Sequence, residues 1–255
     1  MILAVDIGNT NTTCGFFAED ELLFRFRLFS SLNQTADELA LRLNGLLELR
    51  GKSLADIKHL LIGSVVPPLT KTWLEMASIY GIEDVKVATP EKIGIPVKLR
   101  YPCEVGVDRV LNALAGWHKY RQSLIIVDYG TATTFDCISE KGEYLGGAIA
   151  PGVMAAAETL FKKTSKLPRL EFSKVPEEII GKDTISAMRT GVLWGFAALT
   201  DGLITRLAGE FEKKPYVIAT GGLAKLMARL SLQIKEVEPD LTLEGLVIWF
   251  KKKNE

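Results

Sequence analysis

Met1-Ile2-Leu3-Ala4-Val5-Asp6-Ile7-Gly8-Asn9-Thr10-Asn11-Thr12-Thr13 and Leu124-Ile125-Ile126-Val127-Asp128-Tyr129-Gly130-Thr131-Ala132-Thr133-Thr134 are two versions of one pattern. Each has an apolar run that reads as a buried strand, then Asp-x-Gly, then a turn rich in threonine. The two aspartates lie 122 positions apart, too long a period for a solenoid. The spacing implies two similar halves, assigned to residues 1–115 and 116–255. The segment after each turn also repeats. Cys14 to Phe17 and Phe135 to Ile138 read as second strands, Leu22 to Leu28 and Tyr144 to Ile149 as third strands. Each half therefore opens with an antiparallel strand–hairpin–strand unit.

Helical spacing comes later in each half. Leu39, Leu43, Leu46 and Leu47 mark one helix, Leu69 to Tyr80 a second, and Val110 to Trp117 a third. Ile185 to Leu207 reads as a long helix with a break expected near Gly202, and Leu223 to Leu230 and Leu243 to Phe250 as two more. Ile57 to Val66 reads as a strand stopped by Pro67-Pro68, and Val85 to Ala88 and Tyr216 to Thr220 as further strands. The expected class is α/β with hairpins, which argues against a purely parallel doubly wound sheet.

Composition narrows the function. Hydrophobic residues make up 47% of the 255 and charged residues 24%, a globular mixture. Thirty-one basic residues balance 31 acidic ones, where a nucleic-acid or anionic-membrane binder usually shows basic excess. No apolar run approaches the roughly 20 residues of a membrane span. The apolar start reaches Asp6 at once, with no basic leader or cleavage site, so it reads as a strand and not a secretory signal. Cys14, Cys103 and Cys137 are widely spaced, fitting reduced thiols in a cytoplasmic protein.

Four stretches could carry chemistry. Asp6 ends a buried strand just before a glycine, where backbone N–H groups and the hydroxyls of Thr10, Thr12 and Thr13 could face phosphate oxygens and the carboxylate could hold Mg²⁺. The other reading is an Asp in a hairpin turn that caps nearby amides. Asp128-Tyr129-Gly130-Thr131 strengthens the first reading, because two such turns could close on one nucleotide. Thr220-Gly221-Gly222, between a strand and a helix, could let an adenine ring approach the backbone, or could be a plain turn. Tyr101-Pro102-Cys103-Glu104-Val105-Gly106-Val107-Asp108-Arg109 leads into a helix. An ionised Asp108 there could accept a proton from a substrate hydroxyl while Arg109 holds an anion. Its alternative is an N-terminal cap beside a surface arginine. Gly51-Lys52-Ser53 is not a P-loop, because the required upstream glycine falls on Leu46.

Taken together, these motifs resemble the type III pantothenate kinases, of the superfamily that holds acetate and sugar kinases, heat-shock chaperones and actin. The matching residues are Asp6 to Thr10, Tyr101-Pro102 with Glu104 and Gly106 to Arg109, Asp128 to Thr134, Gly146-Gly147 with Ile149 to Gly152, Thr184 with Gly191, and Thr220 to Gly222. The resemblance implies two ribonuclease-H-like (actin-like ATPase) halves with mixed five-stranded sheets, flanking helices and an ATP cleft between them. It implies phosphorylation of pantothenate by ATP, the first step of coenzyme A biosynthesis, with Asp108 as general base. Tyr101, Gly106, Val107, Asp108, Arg109 and Thr184 would contact pantothenate. Asp6, Ile7, Gly8, Asn9, Thr10, Asn11, Thr12, Thr13 and Thr131 would contact ATP. Asp128 would hold a monovalent cation, K⁺ or NH₄⁺, and a homodimer is implied. The chain departs from the pattern at Val107, where the family often has Ala, and at Tyr129, where it has Phe. The rival expectations are another small-molecule kinase of the superfamily and a nucleotide-gated binding module with no acceptor substrate.

Overall fold

The computed structural model describes residues 1–162, 175 and 178–253. Its strands are β1 (Ile2–Ile7), β2 (Asn11–Ala18), β3 (Glu21–Phe29), β4 (His59–Ser64), β5 (Asp84–Val87), β6 (Leu124–Tyr129), β7 (Ala132–Ile138), β8 (Tyr144–Pro151), β9 (Tyr216–Thr220) and β10 (Glu236–Val237). Its helices are α1 (Ala36–Glu48), α2 (Pro67–Ile79), α3 (Val107–Tyr120), α4 (Val153–Lys162), α5 (Thr184–Ala208), α6 (Ala224–Ala228) and α7 (Leu241–Lys252).

The strands form two five-stranded sheets of the same plan. One runs β3-β2-β1-β4-β5, the other β10-β9-β6-β7-β8. In each, the first three strands are an antiparallel meander and the last two lie parallel to the first. The repeat seen in sequence is thus a repeat of topology: the expected mixed sheets are present, with helices flanking each.

Burial explains the elements. β1 is apolar and almost wholly buried, as a central strand covered on both faces must be. β3, at the sheet edge, alternates instead: Leu22, Phe24, Phe26 and Leu28 turn inward and the residues between them outward. α1 starts where Thr35 accepts the Glu38 N–H at 3.2 Å and Glu38 reaches back to the Thr35 N–H at 2.8 Å. It packs Leu39, Leu43 and Leu47 into the core of the first sheet.

Several boundaries differ from expectation. α2 starts at Pro67 itself, because a first-turn proline lacks only an N–H that the helix would leave unpaired. α5 runs unbroken through Gly202, whose carbonyl accepts the Arg206 guanidinium at 2.9 Å. α4 was not foreseen, nor was the two-residue strand β10. No helix among the described residues is long and apolar enough to cross a membrane.

The chain divides into two compact units. The first holds Met1–Ile95, Arg100–Ala115 and the chain from Leu241 on; the second holds Pro96–Leu99 and Gly116–Asp240. α3 passes from the first unit to the second between Ala115 and Gly116. α7 packs on β1 and β4. Its Gly245 lies so near α3 that a Cβ there would fall 2.4 Å from the Leu111 carbonyl. Thr242 donates to Asn112 at 2.7 Å and the Trp249 indole to the Lys92 carbonyl at 2.9 Å. An apolar helix joins whichever sheet face lacks cover, and sequence proximity does not decide which.

Candidate active site

In the first unit, β1 and β2 pair with Asp6 opposite Thr13 and Ile7 opposite Thr12. The turn closes where the Gly8 N–H donates to the Asn11 carbonyl at 3.1 Å, leaving Asn9 and Thr10 exposed at its tip. Ile7 is fully buried, so its side chain belongs to the core. Thr12 is also buried, and its hydroxyl meets that of Ser30 at 3.0 Å. Of the three hydroxyls expected to face phosphate, the Thr12 group is therefore turned into the protein and shapes the turn instead. Asp6 lies beside Gly63 of the parallel strand β4. Its charge adds to burial in pushing the Cys14 thiol well above its ordinary pKa, so that thiol is inert.

Asp108 lies at the same end of the sheet. The Val65 N–H, just beyond β4, donates to the Ile7 carbonyl at 3.1 Å. A Cβ on Gly106 would sit 3.7 Å from Val65 Cγ1 and only 2.4 Å from Asp108 Oδ1. The Asp108 carboxylate folds back over the start of α3, where Oδ1 accepts the Arg109 N–H at 2.9 Å. The carboxyl ends of parallel strands are where open α/β sheets bind ligands, and β1 and β4 bring the Asp6 turn and Asp108 to that end together. Burial raises the Asp108 pKa above the ordinary carboxylate value, opposed by the Arg109 N–H and the Arg109 charge. A desolvated carboxylate is a stronger base than a solvated one. Of the other expected contacts, Tyr101 is 58% exposed, Val107 is packed in the core and Arg109 is half-buried.

The second unit repeats the turn one residue shorter: Asp128 pairs with Thr134 and Tyr129 with Thr133. Three parts of the unit fix its shape. A Cβ on Gly152 would fall 2.1 Å from the Thr131 carbonyl. A Cβ on Gly221 would fall 2.4 Å from Asp128 Oδ1 and 2.7 Å from the Tyr129 carbonyl, and Gly221 also has φ +91°. Its glycine is thus required by close approach to the Asp128 turn, a cause sequence alone did not separate from approach to a ligand. Below the turn, the buried Tyr129 hydroxyl meets Thr200 of α5 at 2.8 Å, and burial pushes its pKa to about 12. Thr131 is exposed at the turn. Thr184 is the exposed first residue of α5, beside the cap Asp183, which accepts the Ser186 N–H at 2.9 Å.

Among the described residues no group of three or more His, Cys, Asp or Glu side chains could hold a metal by itself. That donor set suits Mg²⁺ carried on phosphates, since Mg²⁺ usually binds through one or two carboxylates and keeps its remaining ligands as phosphate and water. The single carboxylate of Asp6 fits such a role.

Sequence reading missed Ser30, Val65 and Thr200. Each is remote in the chain from the turn it supports and belongs to no motif. Pairing of β3 with β2, pairing of β4 with β1, and packing of α5 beneath β6 bring them there.

Two copies of a mixed five-stranded sheet, each with a glycine turn after its first strand, define the actin-like ATPase fold. Solved structures agree at the level of fold: a conserved Baf family protein from Campylobacter jejuni matches with TM-score 0.64 at 18% identity, over 99% of this chain and 98% of that one. The inorganic polyphosphate/ATP-glucomannokinase of Arthrobacter sp. strain KM matches with TM-score 0.52 at 16% identity, over 99% and 98%. The family model for type III pantothenate kinase matches residues 2–206. The type III pantothenate kinase of Geotalea uraniireducens (strain Rf4) is 44% identical over 256 residues, covering 100% of both chains. The chain belongs to the type III pantothenate kinase family.

Proposed function

We propose that this protein transfers the γ-phosphoryl group of ATP to the hydroxyl of pantothenate, the step that commits pantothenate to coenzyme A, with Asp108 as the proton acceptor. The family supports the reaction. The observation that carries the residue assignment is the desolvated Asp108 carboxylate, held on the N-terminus of α3 at the sheet end where the Asp6 turn lies. The hydroxyl oxygen attacks phosphorus as the bond to the ADP oxygen breaks, and the hydroxyl proton passes to Asp108. Arg109 offers a fixed positive charge for the pantothenate carboxylate, and Tyr101, Gly106, Val107 and Thr184 complete the assigned contacts.

Asp6, Gly8 to Asn11, Thr13 and Thr131 are the assigned ATP contacts, with Ile7 and Thr12 contributing backbone only, since their side chains are buried. Asp6 would hold Mg²⁺ and Asp128 a monovalent cation, K⁺ or NH₄⁺; such ions neutralise the charge that develops on the phosphates. A homodimer and a cytoplasmic location complete the reading.

A coupled ADP-release assay with ATP and Mg²⁺ tests it. Release that requires pantothenate, rises when K⁺ replaces Na⁺, and collapses in Asp108→Asn is expected. Nucleotide binding with no response to pantothenate would overturn the reaction, and near-full turnover in Asp108→Asn would overturn the base assignment.

A further inference from the structure

We infer that Ser30 is a positioning residue of the first phosphate turn, setting the direction of its backbone through three hydrogen bonds. The inference rests on the reading of Asp6 to Thr13 as an ATP-binding turn. Ser30 follows the last residue of β3 and is 8% exposed. Its N–H donates to the Thr10 carbonyl at 3.1 Å, which carries the β2–β3 ladder one step onto the turn. Its hydroxyl donates to the Gly8 carbonyl at 2.6 Å. A hydroxyl has one proton, so the 3.0 Å contact with Thr12 must be donated by Thr12 and accepted by Ser30. One side chain and its own N–H thus grip residues 8, 10 and 12.

The consequence follows from the planar trans peptide, in which N–H points opposite to the preceding C=O. With the Gly8 and Thr10 carbonyls drawn to Ser30, the N–H groups of Asn9 and Asn11 point away from it. The grip also commits the Thr12 proton inward. Ser30 touches no reacting atom in this scheme. It acts through the turn, by holding donors in one orientation before a phosphate arrives, which is how preorganised backbone groups bind anions without a reorganisation penalty.

The test compares Ser30→Ala and Ser30→Thr with the parent protein in the ADP-release assay and in calorimetric binding of a non-hydrolysable ATP analogue. Losing the side-chain bonds in Ser30→Ala should raise the KM for ATP and weaken analogue binding roughly tenfold. The KM for pantothenate should move by less than about twofold. Ser30→Thr keeps the hydroxyl and should restore ATP binding. Unchanged ATP affinity in Ser30→Ala, or equal shifts in both KM values, would overturn the inference. Should Ser30→Ala fail to fold, Thr12→Val removes one bond of the same grip, and the same selective loss of ATP affinity is required of it. A parent protein that binds the analogue but ignores pantothenate would refute the kinase reading alone, because the binding arm still decides the role of Ser30.

Discussion

Gly106→Ala is the change that most directly separates the fold from the chemistry. The added Cβ would lie 2.4 Å from Asp108 Oδ1, where ordinary van der Waals contact begins at 3.4 Å. The carboxylate must therefore retreat by about 1 Å, and a misplacement of that size costs on the order of a hundredfold in rate. The fold has little to lose. Outside Asp108, the nearest atom the methyl meets, Val65 Cγ1, is at an ordinary 3.7 Å, and Gly106 is not among the glycines with positive φ. Alanine at a compatible backbone position stabilises by about 0.4–1 kcal/mol through the unfolded chain, roughly the 2–4 °C in Tm that 1 kcal/mol represents in a chain of this size. The assay is steady-state ADP release with pantothenate varied, beside a thermal melt. The expected result is a kcat/KM for pantothenate down about a hundredfold with Tm level or slightly raised. Turnover within about threefold of the parent would refute the claim that this glycine sets the position of the carboxylate. A fall in Tm that matches the loss of activity would refute the claim that the fold is spared.

Three further outcomes are expected. Asp108→Asn should lose turnover yet melt higher than the parent at neutral pH. Burial raises the folded-state pKa of Asp108, so the stability its protonated form contributes is lost as pH rises through that value, and asparagine avoids the loss. The melting advantage should fade by about pH 3, below the unfolded pKa, and equal melting at neutral pH would count against the buried carboxylate. For the same reason the parent's kcat/KM should fall on the acid side with a single ionisation above the ordinary carboxylate value, read from a pH–rate profile. Tyr129→Phe strands the buried Thr200 hydroxyl and should cost about 1–3 kcal/mol in chemical denaturation, much of it recovered in the double variant with Thr200→Val; a double variant weaker than the sum of the singles would argue otherwise.

The legible parts of this protein are those written in local pattern. The apolar run, the Asp-x-Gly turn and the following hairpin recur in both halves, and strand pairing realised both copies. Tyr101 to Arg109 was singled out as a site by the family resemblance, because by spacing alone an Asp-Arg at a helix start is more commonly a plain cap. Less legible were element ends. Pro67-Pro68 stops a strand and also starts a helix, and local signals do not choose between these. Gly202 breaks an isolated helix more readily than one packed along a sheet, where tertiary contacts outweigh a propensity of about 1 kcal/mol.

Sequence by itself determined the duplication, the two glycine turns and the placing of Asp108 on the first turn of a helix, because each depends on neighbours within a few positions. Only the tertiary structure decided that α7 returns to the first unit, that Thr12 faces Ser30, that Gly221 is needed by Asp128, and that Gly106 makes room for a carboxylate. Those depend on which surfaces meet once apolar faces are buried, and burial brings together residues that share no local pattern.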